Sequence, residues 1–220
     1  VISVTLDRPW LIARLAQPMR VLSWAPVGAG FTRTDTVVWR EVRNADLSLD
    51  FDAECWFADQ MARAPGAVGM MTSRDIGTWR EGRAEVEGVA AHAVATVGLT
   101  NGEAVGRRRD WGPRDFGTIN ILVATTAPLT QAAQLEALSI AVQARTAAVI
   151  AAGVDGPTGR VTGTGTDCLA LACPMGDIPY AGLHTAAGEA IGAATRAAVA
   201  EGAEDWKRWF AAETAKAGAV

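Results

Sequence analysis

Three stretches decide the fold: Gly117-Thr118-Ile119-Asn120-Ile121-Leu122-Val123-Ala124-Thr125, the alanine-rich residues 129–152, and Thr162-Gly163-Thr164-Gly165-Thr166-Asp167-Cys168-Leu169-Ala170-Leu171-Ala172-Cys173. The first is a short apolar run between turn residues, which reads as a buried strand. The second carries Leu135, Leu138, Val142, Arg145 and Val149 at spacings of three and four. That is a helical stripe stopped at Gly153, with an arginine on its apolar face. The third opens as a Gly-Thr turn and runs straight into a second apolar strand.

Working outward, strands are expected at 2–6, 10–15, 19–25 and 36–42, separated by Asp7-Arg8-Pro9, Gln17-Pro18 and the Gly28-Ala29-Gly30 turn. Connections this short demand antiparallel pairing. Residues 50–63 have helical character, opening with Asp50 and Asp52 and closing before Pro65-Gly66. Further strands are expected at 66–72, 84–90 and 91–99, and a last helix at 186–216 with a break near Gly202. Many strands and three long helices out of strict alternation predict one α+β domain over 1–220. Its expected architecture is a layered sandwich with a mixed, largely antiparallel β-sheet packed by about three long helices.

At 220 residues, half of them hydrophobic, the chain fills a sizeable core. A net charge of -4, with Arg107-Arg108-Arg109 as the one basic cluster, argues against nucleic acid as a partner. No stretch approaches about 20 uninterrupted apolar residues, and Asp7, Arg8, Pro9 and Arg14 interrupt any signal-peptide core. No membrane partner is therefore expected, and the expected compartment is the cytoplasm. Cys55, Cys168 and Cys173 form no CxxC pair, which fits a reducing compartment. Two histidines and three scattered cysteines give no zinc spacing, so neither a metal nor another cofactor is expected. The composition permits a homo-oligomer.

Eight tryptophans against one tyrosine are unusual, because an average chain of this size carries roughly three tryptophans. Most belong in the core. Trp79 and Trp111 stand among glycines and arginines, a setting that suits contact with a large planar ligand as well as a half-buried loop position.

The segments with chemical potential are few. In 162–167 two glycines let the backbone turn sharply while Thr162, Thr164, Thr166 and Asp167 project. Such a loop is either a nest of N–H groups for an anion or oxyanion, with Asp167 as base, orienter or ligand, or a tight turn capping its own backbone. It lacks the lysine and spacing of a Walker A loop. Tyr180-Ala181-Gly182-Leu183-His184-Thr185 precedes the last helix. With Thr185 as cap, His184 sits at the helix start, placed either to act as a general base or merely to bond a loop group. His92, inside an alternating strand, reads as structural. Glu103 follows the Asn101-Gly102 turn, and Asn120 interrupts an apolar run, so it is buried with partners or faces a site.

Taken in order, GLTNGEAVG (98–106), FGTINILV (116–123), VTGTGTDCLALACP (161–174) and YAGLHTAAGEAIG (180–192) resemble the adenosylcobinamide amidohydrolase family. A Gly-rich turn at Val27 to Gly30 and a Val-Gly-x-x-Thr segment at Val68 to Thr72 extend the resemblance over about residues 20–200. Two features depart from it. The early turn reads Gly-Ala-Gly where consecutive glycines are expected, and Gln143-Ala144-Arg145-Thr146 stands where Glu-Ala-Lys-Thr is expected. The resemblance implies a hydrolase that cleaves the amide between the corrin ring and aminopropanol, with a corrinoid as its small-molecule partner.

Such an enzyme needs a nucleophile, a base, oxyanion donors and an acid for the leaving amine. The residues available are His184 as base, Asp167 as its orienter or as the activator of water, Thr164 or Thr166 as nucleophile, and Glu103 as a reserve base. Gly163 and Gly165 contribute backbone to the oxyanion site. Asn120, Arg145, Gly28, Gly30, Trp79 and Trp111 are the expected substrate contacts. A corrinoid-binding module without catalysis, and an amidohydrolase acting on another amide, are the competing readings.

Overall fold

The computed structural model describes residues 2–42, 52–108 and 117–217. Along the chain run β1 (Ile2–Asp7), β2 (Trp10–Ser23), β3 (Gly30–Glu41), α1 (Ala53–Gln60), β4 (Val68–Thr72), β5 (Arg80–Val86), β6 (Val89–Val97) and β7 (Gly102–Glu103). They are followed by β8 (Ile119–Thr125), α2 (Gln131–Ala151), β9 (Asp155–Gly156), β10 (Gly159–Arg160), β11 (Gly163–Thr164), β12 (Cys168–Cys173) and α3 (Ala186–Ala217). The apolar runs pair into one mixed sheet of eight strands in the order β4-β3-β2-β12-β8-β6-β5, with β1 on β2. Only β3–β4 and β12–β8 are parallel pairs in this sheet. The architecture is α+β, as expected, although α1 is short.

β2 organises the first half of the sheet. β1 pairs with its opening residues and β12 with its closing ones, while β3 follows both halves on the other side. The turn expected at Gln17-Pro18 is instead a register shift between Arg14 and Met19 within one long strand. Proline has no N–H for the ladder, and a bulge is where a strand accommodates it. The second hairpin turns at Glu87-Gly88, with φ of 49° and 80°, and not at 90–91 as expected. Consecutive positive φ values match the right-handed twist of the flanking strands.

Two cores lie on the two faces of this sheet. Ala93, Ala95, Ile119, Ile121, Leu169 and Leu171 face α2 and α3. Val94, Leu122, Ala170 and Ala172 face the other way and share a cluster with Leu11, Val37, Trp39 and Met70. The sheet therefore curls back on itself, and Asn120 Nδ2 donates to the Met71 carbonyl at 2.6 Å across the fold. α1, capped by the Asp52 carboxylate on Cys55 N–H, covers the outer side of β2 and β3 with Phe57 and Met61.

The helices seat on small residues. α2 buries Ala133, Gln134, Ala137, Ile140, Ala141, Ala148 and Val149, whereas Leu135 is 55% exposed. Of the stripe read from the sequence, Val149 is buried and Leu138 and Val142 pack against the core, but Leu135 does not, because the centre of the buried face is made by alanines that bring the helix close. α3 runs unbroken through Gly202, where a Cβ would lie 2.6 Å from Val97 Cγ2. That glycine permits close approach to β6 and does not end the helix.

His92 is structural, as read. Its Nδ1 accepts from Ile2 N–H at 3.1 Å and its Nε2 bonds Glu81 at 2.8 Å, joining β1 to the other half of the sheet.

Gly82 on β5 lies directly against the backbone of a helix. A Cβ there would stand 2.0 Å from the Ala194 carbonyl oxygen of α3. Backbone cannot yield as a side chain does, so Gly82→Ala is expected to lower stability by about 1–3 kcal/mol in urea denaturation. An unchanged midpoint would show that α3 is free to shift.

Candidate functional site

The Gly-Thr loop between β11 and β12 is built around the Asp167 carboxylate. Oδ1 accepts from Ile119 N–H at 3.0 Å and from the Thr164 hydroxyl. Oδ2 accepts from Thr164 N–H at 3.0 Å and from Arg145 Nη1. The two side chains are 10% and 14% exposed, so this is a largely buried ion pair. Burial raises the Asp167 carboxyl above its ordinary range, against the opposing pull of Arg145, Thr164 and Ile119. The arginine on the apolar face of α2 is there to meet this carboxylate. Gly163 leaves it room, since a Cβ would fall 1.9 Å from Arg145 Nη1.

The remaining loop groups are held from other segments. The Thr166 hydroxyl donates to the Gly117 carbonyl at 2.9 Å, Thr118 Oγ1 donates to the Thr166 carbonyl at 2.8 Å, and Trp24 Nε1 donates to the Asp167 carbonyl at 2.7 Å. Glu103 pairs across from Gly163 in the β7–β11 ladder. Thr164 and Thr166 are thereby distinguished. The first hydroxyl points its proton at a carboxylate that can take it, the second at a carbonyl that cannot.

Two cavities flank the loop. On the α2 side, a cavity of about 340 Å³ is lined by Glu103, Arg107, Arg145, Gly163, Thr164 and Gly165 among others. On the opposite side, a cavity of about 220 Å³ is lined by residues including Pro26, Met71, Ser73, Asn101, Thr118, Asn120, Thr166 and Cys168. Five of the expected site residues therefore meet in the first cavity, and Asn120 and Thr166 in the second. Gly28 and Gly30, both at φ of 79°, turn the chain between β2 and β3 next to Pro26.

His184 is not brought to this loop. Thr185 does cap α3, its hydroxyl accepting from Gly188 N–H at 3.0 Å, but His184 itself is exposed. Asp167 precedes the first residue of β12, whereas the segment carrying His184 leaves its far end and is pinned by Ala181 N–H on Glu136. Six strand residues span about 20 Å. Trp79 packs half-buried against the inner core and lines neither cavity, and Trp111 lies outside the described residues. The sequence reading missed Asn101 and Thr118 as site residues. In the sequence each is a turn or strand-edge residue, and its signal is polarity beside an apolar run.

Because Arg145 neutralises a buried carboxylate, Arg145→Met is expected to cost about 3 kcal/mol of stability. Adding Asp167→Asn should recover part of that loss, measured by urea denaturation. Equal stability of Arg145→Met and wild type would mean the pair does not hold the loop.

An adenosylcobinamide amidohydrolase of Halobacterium salinarum is 35% identical over 115 residues, which cover 49% of this chain and 46% of that protein. The aligned region is thus about half the length of that relative. A Pyrococcus horikoshii protein superposes with a TM-score of 0.42 at 11% identity, covering 91% of this chain and 82% of the other. A Burkholderia beta-aminopeptidase superposes with a TM-score of 0.44 at 14% identity, covering 88% and 78%. The model of the adenosylcobinamide amidohydrolase family (CbiZ) matches residues 2–211, nearly the whole length, and the chain belongs to that family.

Proposed function

We propose that this protein hydrolyses the amide joining aminopropanol to the corrin ring of adenosylcobinamide, releasing adenosylcobyric acid in corrinoid salvage. Family membership supports the reaction class. The observation that carries the mechanism is the Thr164 hydroxyl donating to the buried Asp167 carboxylate at the edge of the Glu103 cavity.

In this reading Thr164 Oγ attacks the amide carbon as its proton passes to Asp167. The N–H groups of Gly165 and Thr166, which make no hydrogen bond among the described residues, receive the oxyanion. Protonated Asp167 then gives its proton to the departing amine, the C–N bond breaks, and an ester remains on Thr164. Water attacks that ester, Glu103 takes the water's proton, and the ester C–O bond breaks. The proton returns to Thr164 Oγ, and the corrin carboxylic acid is released and loses its proton to solvent. Arg145 and the Ile119 N–H hold Asp167 in place throughout.

The test is turnover of adenosylcobinamide, its cyano form and complete cobamides, with and without chelator, with products resolved by mass. Free aminopropanol and adenosylcobyric acid are expected. Binding without turnover would favour the non-catalytic reading. Among the described residues no three His, Cys, Asp or Glu groups are clustered as metal ligands, and activity is expected to survive chelation. Loss on chelation, restored by one divalent ion, would contradict that expectation.

Asp167→Asn is expected to lower kcat by at least about 100-fold, while His184→Gln stays near wild type. The reverse pattern would move the base to His184. Because the carboxylate form is needed and burial raises its pKa, activity should fall with decreasing pH through a value above the ordinary 3.8. A kcat unchanged down to that value would remove Asp167 as proton acceptor.

A further inference from the structure

The smaller cavity, on the side of the loop away from Glu103, has a different chemistry. None of its lining residues is Asp, Glu, Lys, Arg or His. Its one ionisable group, the Cys168 thiol, is pushed up to about 12 by burial and stays neutral. At about 220 Å³ it is smaller than the roughly 300–1,000 Å³ of sites that enclose whole drug-sized ligands, so it fits an appendage and not a ring.

Two asparagines set what that appendage can be. Asn120 is fixed, with Nδ2 donating to the Met71 carbonyl at 2.6 Å and Oδ1 3.1 Å from the Thr118 hydroxyl. One Nδ2 proton is used, and the other has no acceptor among the described residues. Asn101 is 2% exposed, and its Oδ1 has no partner among the described residues. A buried acceptor left unpaired is costly, and native structures rarely leave one without a ligand, water or other explanation. One free acceptor and one free donor, with no charged side chain among the lining residues, complement a group that offers both N–H and C=O.

We propose that this cavity is a subsite for a neutral carboxamide side chain on the corrin periphery, held by Asn101 and Asn120 while the scissile amide lies on the Thr164 side of the loop. This rests on the corrinoid reading given above. Thr164 and Thr166 line the two cavities and are two residues apart, so about 7 Å of chain at most separates them. One large substrate can straddle that width. The uncharged lining also discriminates: a carboxylate in place of the carboxamide would lose its solvation, gain no cation, and offer no N–H to Asn101.

The experiment is titration of the full protein, followed by corrinoid absorbance, with adenosylcobinamide and with its isomers in which one peripheral carboxamide is hydrolysed to the carboxylate. At least one isomer is expected to bind wild type about tenfold or more weakly than the parent. Asn101→Ala is expected to weaken the parent by about tenfold and to bring it close to that isomer. Equal binding of the parent and every isomer by wild type would overturn the subsite, whatever the variant does. So would Asn101→Ala that retains both affinity and discrimination. Binding with discrimination but without turnover would sink the proposed hydrolysis and keep the subsite. No corrinoid binding at all would sink both.

Discussion

The structure around the loop depends on one buried ion pair, Arg145 with Asp167. The carboxylate accepts from β8 through Ile119 N–H, from the loop through Thr164, and from α2 through Arg145. A carboxylate has about four acceptor directions, and all are used. Helix, sheet and loop are thereby locked at one point. The same bonds that make the loop rigid aim the Thr164 hydroxyl at a base. Structural and chemical roles therefore do not compete here, because an oriented nucleophile needs a fixed acceptor.

What surrounds that point is assembled by the curl of the sheet. Met71 to Ser73 at the end of β4, Asn101 before β7, Thr118 and Asn120 at the start of β8, and Thr166 and Cys168 at the start of β12 are far apart in sequence yet border one cavity. The bond from Asn120 to the Met71 carbonyl, and the Trp24 indole on the Asp167 carbonyl, tie the two halves of the sheet at the same end. Small residues make the closeness possible. Gly82 admits α3, Gly202 admits β6, and Gly163 admits Arg145.

Much of this was legible in the sequence where the signal is local. The apolar strands, the Thr185 cap, the structural His92 and the oddity of Arg145 on an apolar face all follow from periodicity or from one residue out of pattern. The rest depends on contacts that local pattern does not encode. Alanines define the buried face of α2 but look neutral, so Leu135 misled. Proline at position 18 signals a turn or a bulge equally well, and only the neighbouring strands decide. His184 looked placed for catalysis because it precedes a helix cap, but the length of β12 stands between it and the loop. The family segments are adjacent in order, and the fold separates the last of them from the others.

Every later step of the proposed reaction depends on attack by the Thr164 hydroxyl. The most direct measurement is kcat on adenosylcobinamide for Thr164→Ser beside Thr164→Val, which respectively keep and remove the hydroxyl. Thr164→Ser is expected to turn over at a measurable fraction of the wild-type rate, and Thr164→Val, folded and binding corrinoid, to fall by at least about 100-fold. Thr164→Val with wild-type kcat would contradict attack by Thr164.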